Sequence, residues 1–104
     1  MVMRLKYKDE SIMVTITNNL KVLSYKFQKL YYAIIIENCN RYSSISNKQR
    51  IDVIMVDEEL RVLAVKRDMH ENTVFEMDSA NKVVLLPVGI FSSVKIGEQL
   101  SLEL

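Results

Sequence analysis

Ile51-Asp52-Val53-Ile54-Met55-Val56, then Asp57-Glu58-Glu59-Leu60, then Arg61-Val62-Leu63-Ala64-Val65-Lys66: two runs rich in Val, Ile and Leu flank four residues, three of them acidic. Runs of this kind favour strands, and a polar tetrapeptide between them reads as a turn, so the stretch predicts an antiparallel pair. Upstream, Met3, Leu5 and Tyr7 alternate with Arg4, Lys6 and Lys8, and Ile12, Val14 and Ile16 alternate with Met13, Thr15 and Thr17. This two-residue period predicts an N-terminal hairpin. After Asn18 and Asn19, both good helix caps, Leu20, Leu23, Phe27 and Leu30 recur at helical spacing, so an amphipathic helix is expected over 20–31. Ala33 to Glu37 reads as a buried strand and Asn38 to Arg50 as the longest loop. Arg67 to Asn81 reads as a polar loop with a short strand near Val74-Phe75, Val83 to Leu86 as a strand stopped by Pro87, and Leu100 to Leu104 as a last alternating stretch.

Six or seven short strands and one helix in a single domain, residues 1–104, predict an α+β fold. Its form is a small bent antiparallel sheet, or a partly closed β-barrel, with one amphipathic helix. In that arrangement Val53, Met55, Val62, Ala64, Val84 and Leu86 share one side of the sheet, and Leu23, Phe27 and Leu30 cover part of it.

Composition removes several function classes. Lys and Arg total 14 against 13 Asp and Glu, a formal charge of +1, which gives no long-range field for gathering phosphates and argues against nucleic acid as the main partner. One Cys and one His supply neither a Cys/His zinc site nor an internal disulfide, so no metal is expected. Gly89 and Gly97, the only glycines, cannot build a Gly-rich phosphate loop, and no cofactor is expected. The charged alternation at Arg4, Lys6 and Lys8 leaves no apolar signal-peptide core, and Leu30 to Ile36 is far shorter than the roughly 20 residues that span a bilayer. A cytoplasmic protein without a membrane span is the expectation.

From Cys39 onward three blocks carry a family resemblance. They are Asn38-Cys39-Asn40 with Ile51-Asp52-Val53-Ile54-Met55-Val56-Asp57 and Arg61-Val62-Leu63; then Val83-Val84-Leu85-Leu86-Pro87-Val88-Gly89; and Val94-Lys95-Ile96-Gly97-Glu98-Gln99-Leu100. In order and spacing they resemble the family called domain of unknown function 192, over roughly Leu20 to Leu104. Members typically carry an Ile-Asp or Leu-Asp strand ending in Asp, an Asp-x-x-Gly hairpin, a Leu-Pro-x-Gly turn and a Gly-Ile-x-x-Gly-Asp close. Here the hairpin Gly is replaced within Asp57-Glu58-Glu59-Leu60, and the close is Gly97-Glu98. The family's His and Met cluster is absent from Arg41 to Arg50, and its Gly-Leu-Met signature from Leu20 to Phe27. The resemblance implies a divergent member and a fold, and no activity, since none is assigned to the family. Leu86-Pro87 followed by Ile96 to Leu100 is also similar to the strand, turn and Gly-Asp box of swapped-hairpin transition regulators.

Asp52 is the residue the resemblance singles out. An acid between Ile51 and Val53 either accepts hydrogen bonds that order the loop before it, from the loop's backbone or from Ser43, Ser44 or Ser46, or faces a pocket; the structural role is favoured. Cys39, Ser43 and Ser44 complete the candidate binding set, with Cys39 read first as a small buried hydrophobe because no base stands near it in sequence. His70 reads as a solvated loop residue, and Asp57, Glu58 and Glu59 as a solvated turn without calcium-ligand spacing. No residue is assigned a catalytic role. The preferred reading is a small binding or accessory domain without evident catalytic machinery, acting on a protein or small-molecule partner. The alternatives are a hydrolase-like pocket built from Asp52 and the 38–50 loop, and nucleic-acid binding through the N-terminal hairpin and helix. The latter would use the six Lys and Arg that face only two acids up to Tyr31.

Overall fold

Nine strands are the regular elements among the residues that the computed structural model describes, which are 3–18, 29–44, 49–69 and 73–104. They are β1 (Arg4–Tyr7), β2 (Glu10–Thr17), β3 (Ala33–Glu37), β4 (Arg41–Ser43), β5 (Ile51–Val56), β6 (Val62–Met69), β7 (Val74–Glu76), β8 (Lys82–Pro87) and β9 (Ser101–Glu103). Seven form one sheet in the order β6-β5-β8-β3-β2-β1-β9, and β4 pairs with β7 in a separate ribbon. The α+β expectation is therefore corrected: the described chain is all sheet, a curled half-barrel with a two-stranded ribbon. Of the helix expected over 20–31, residues 20–28, including Leu23 and Phe27, lie outside the described residues, and 29–31 are not helical. Leu30 is instead buried ahead of β3, in the cluster that also holds Ile34 and Ile36 of that strand.

The sheet is also mixed rather than antiparallel. β2 and β3 run parallel, Val14 facing Ala33 and Thr17 facing Ile36, while the other strand pairs are antiparallel. Residues 18–32 are enough chain to return to the same end of the sheet, the condition that a parallel pair sets.

The expectation that six residues share one side fails for a related reason. Val56, Val62, Val84 and Leu86 face the inside of the curl with Ile54, whereas Val53, Met55 and Ala64 face outward with Ile34, Ile36, Val83 and Leu85. Both faces are covered: the curl encloses the inner one, and Tyr42, Phe75 and Met77 of the ribbon region pack on the outer one. A strand buried on both faces reads as a continuous apolar run, and every residue of Ile51–Val56 is buried. Among the described residues, no helix is long and apolar enough to cross a membrane.

The two edges of the curled sheet meet at one corner. Arg61 bridges Gln99; Val62 N–H donates to Glu98 O (2.7 Å), Gly97 N–H to Val62 O (2.8 Å) and Leu100 N–H to Leu60 O (2.9 Å). The Gln99 amide adds a bond to Glu59 O (2.7 Å). Beyond this clasp the seam between β9 and β6 stays open. Glu98 also accepts the Tyr7 hydroxyl at 2.7 Å and the Lys95 N–H at 2.8 Å, and these two bonds, the hydroxyl first, hold its carboxyl below the ordinary value of 4.5. A carboxyl depressed on folding adds stability that is complete above about pH 4.5 and is lost as pH falls through the lower folded value. Thermal melts from about pH 5 to about pH 3 should therefore fall more steeply for the parent than for Glu98→Gln; parallel profiles would remove Glu98 from the acid response.

Candidate functional site

Strand register assigns the two ends of the half-barrel. Asp52 lies opposite Leu86, near the end marked by Ile51 and Pro87, while Val56 and Glu37 both face Lys82 at the other. The first end is plugged and the second carries a cavity.

At the plugged end Asp52 is 1% exposed and both of its oxygens are used. Oδ1 accepts Asp68 N–H (2.8 Å); Oδ2 accepts Arg67 Nη1 (2.9 Å) and Gly89 N–H (3.0 Å). The cause is local. Pairing of β5 with β6 shifts register between Val53, which faces Lys66, and Ile51, which faces Met69, so Arg67 and Asp68 bulge opposite Asp52. Asp68 takes φ 50, which turns its N–H off the ladder, and the Asp52 carboxylate accepts it. Arg67 reaches on to Ile90 O (3.2 Å) and Phe91 O (2.7 Å), tying the turn after β8 to the bulge. Gly89 has φ 94, a conformation that its lack of a side chain permits. Asp52 thus orders backbone by accepting hydrogen bonds, as expected, but the segment it orders is 88–91 and the β6 bulge. Ser43 and Ser44 are not its partners, and Ser46 lies outside the described residues.

Cys39, Ser43 and Ser44 lie elsewhere, in and beside β4 on the ribbon side, and the Cys39 thiol and the Ser44 hydroxyl bond to different residues. Ser44 is fully buried; its hydroxyl accepts Thr73 N–H (2.8 Å) and donates to Thr73 O (3.1 Å), closing the β4–β7 pair. Cys39 is partly buried against the outer-face cluster and its thiol donates to Arg41 O at 3.1 Å. Because Asp52 alternates with Ile54 and Val56 it faces inward, so the sheet separates it from these three. His70 lies outside the described residues, and among the described ones no three His, Cys, Asp or Glu side chains gather as a metal site.

The open end, which sequence reasoning missed, holds a cavity of about 210 Å³ lined by Ile16, Ile35, Leu60 and Leu102, with Glu37, Glu58, Glu59 and Lys82 around it. Lys82 lies 3.6 Å from Glu37 and donates to Asn81 Oδ1 at 3.2 Å. Glu58 and Glu59 are exposed and have no ion pair among the described residues. The turn that carries them is fixed by Asp57, whose Oδ1 accepts the N–H groups of Glu59 and Arg61, both at 2.9 Å. The available signal was the acidic turn flanked by strands whose interior faces are apolar; the sequence alone did not say which strand ends would surround it.

Leu60 closes that turn with φ 66, where a side chain costs about 1 to 2 kcal/mol, while its side chain is buried against the interior. Burial outweighs backbone strain here. Leu60→Ala and Leu60→Gly both forfeit the burial, but only Gly also relieves the strain. Gly should therefore be the more stable of the two by about 1 kcal/mol, the reverse of the usual order in helices and strands. Urea midpoints that place Ala above Gly would contradict this account.

No family model matches the chain and no curated protein matches it. Two crystal structures are similar in fold. One is a protein of unknown function from Novosphingobium aromaticivorans DSM 12444, with TM-score 0.73 and 10% identity over 96% of this chain and 83% of that one. The other, described as a candidate transcription regulator from Sinorhizobium meliloti 1021, has TM-score 0.75 and 10% identity over 96% of this chain and 91% of that one. At that identity the likeness concerns the fold alone.

Proposed function

We propose that the chain is a divergent member of the domain of unknown function 192 family and works in the cytoplasm as a binding domain without catalytic machinery, taking its ligand at the open mouth of the half-barrel. The observation that carries this is the apolar cavity of about 210 Å³ at the strand ends. Support for the family comes from where the resembling residues lie. Leu60 takes the positive φ that the Gly of the Asp-x-x-Gly hairpin would favour, and Gly89, from the Leu-Pro-x-Gly turn, donates its N–H to Asp52.

The hydrolase reading needs a carboxylate free to act beside the 38–50 loop, and Asp52 has three donors from other segments. The nucleic-acid reading draws on Lys21 and Lys26, which lie outside the described residues, and on Arg4 and Lys6, which meet Ser11 and Glu103.

Titration of the 15N-labelled chain with a library of small fragments, followed by NMR, tests the proposal. Shifts centred on Ile16, Ile35, Leu60 and Leu102 are expected. Shifts confined to the β4–β7 ribbon, hydrolysis that Asp52→Asn abolishes, or salt-dependent retardation of DNA in a gel would each replace it with a rival.

A further inference from the structure

Leu102 combines an exposed backbone edge with a side chain in the cavity wall. Leu100 donates its N–H across the seam to Leu60 O, away from β1. Backbone direction repeats every second residue in a strand, so the N–H and C=O of Leu102 point the same way, and among the described residues neither has a backbone partner. The Leu102 side chain, 40% exposed, lines the mouth beside Ile16, Ile35 and Leu60.

We propose that an extended segment of another protein pairs with the free edge of β9 at Leu102 and seats a lysine side chain in the mouth cavity, its ammonium between Glu58 and Glu59. This rests on the mouth being the binding site and adds the chemistry of its occupant. About 210 Å³ is below the size of ordinary cofactor pockets and suits one side chain. A lysine stem is apolar and its head charged, matching apolar walls beneath two carboxylates that lack an ion pair among the described residues. Its three donors need no fixed plane and can divide between two carboxylates on a turn, whereas arginine is at its best against a single carboxylate held in plane. The free main chain of Leu102 favours a polypeptide over a small amine, because strand addition supplies affinity through backbone bonds.

The test uses the full 15N-labelled chain and three probes. They are acetyl-Thr-Val-Lys-Val-Thr-amide, the same peptide with norleucine in place of lysine, and n-butylammonium. The lysine peptide should shift the amides of Leu60 and Leu102 and slow exchange of the Leu102 N–H. The other two should bind about tenfold more weakly. In the double variant Glu58→Gln with Glu59→Gln, the preference for lysine over norleucine should fall below about threefold, at an unchanged melting temperature. Equal binding of the norleucine peptide overturns the lysine assignment while leaving the mouth as the site. Equal binding of n-butylammonium overturns the strand pairing. Shifts lying wholly outside the mouth overturn both this inference and the reading beneath it.

Discussion

Asp52→Ala is expected to lower the unfolding free energy by about 3 kcal/mol, because it leaves Arg67 Nη1, Asp68 N–H and Gly89 N–H without their acceptor at a site that is 1% exposed. The cost reflects orphaned donors more than lost attraction: Arg67 is one-third exposed and keeps the carbonyls of Ile90 and Phe91. Asp52→Asn retains one acceptor oxygen and should cost about half as much. Its amide nitrogen then faces a donor, which is why it is not neutral. If the Ala variant unfolds in urea at the parent's midpoint, the carboxylate does not hold the bulge and the 88–91 turn together.

Phe91→Ala should cost about 4 kcal/mol, through loss of a fully buried ring and the cavity it leaves. Phe91 meets Tyr7 edge to face at 5.8 Å between centroids, and its N–H donates to Glu10 Oε1 at 3.2 Å. The ring therefore plugs the end of the half-barrel opposite the mouth, between the first hairpin and the turn after β8. Phe91→Leu, which refills most of the space, should recover more than half of the loss. Calorimetric melts of both variants check this, and a loss below about 1 kcal/mol for Ala would mean that the end is not closed by this side chain.

The strands were readable because their burial pattern is local. Ile51–Val56 and Ala33–Glu37 form where β-branched apolar residues are continuous, and the N-terminal hairpin follows its alternation. Which side each residue faces was not readable. A strand covered on both faces carries no polar alternation, and its cover is the β4–β7 ribbon: β7 is the short strand expected near Val74-Phe75, but its partner β4 lies in the segment that read as the longest loop. The Asp52 role was legible in kind from a carboxylate between apolar neighbours. Its cation was not: a plain hairpin around Asp57-Glu58-Glu59-Leu60 sets Asp52 opposite Val65, and only the register shift between Met55 and Val56 moves the pairing on so that Val53 meets Lys66 and Arg67 follows. That shift and the bulge at Asp68 are backbone irregularities that no residue type announced. The mouth was illegible because Ile16, Ile35, Leu60 and Leu102 meet only through tertiary register.

The order of the sheet bears on how the chain emerges during synthesis. β1 precedes the other strands of the sheet in chain order and has β2 next to it, but its other edge receives β9, the last strand in that order, with Leu5 opposite Leu102, so that edge waits for the rest of the sheet to be made. Throughout that interval an unpaired strand edge faces a crowded cell, the situation in which strands recruit wrong neighbours. Arg4 and Lys6 sit on that edge strand, and in the finished fold Lys6 meets Glu103 of β9 at 2.9 Å. A charge on an unpaired edge strand disfavours pairing with a stray strand, and in the folded sheet the same lysine has a carboxylate partner on β9. Lys6→Val should accordingly leave the folded protein standing while raising the share of newly made chain lost to aggregates.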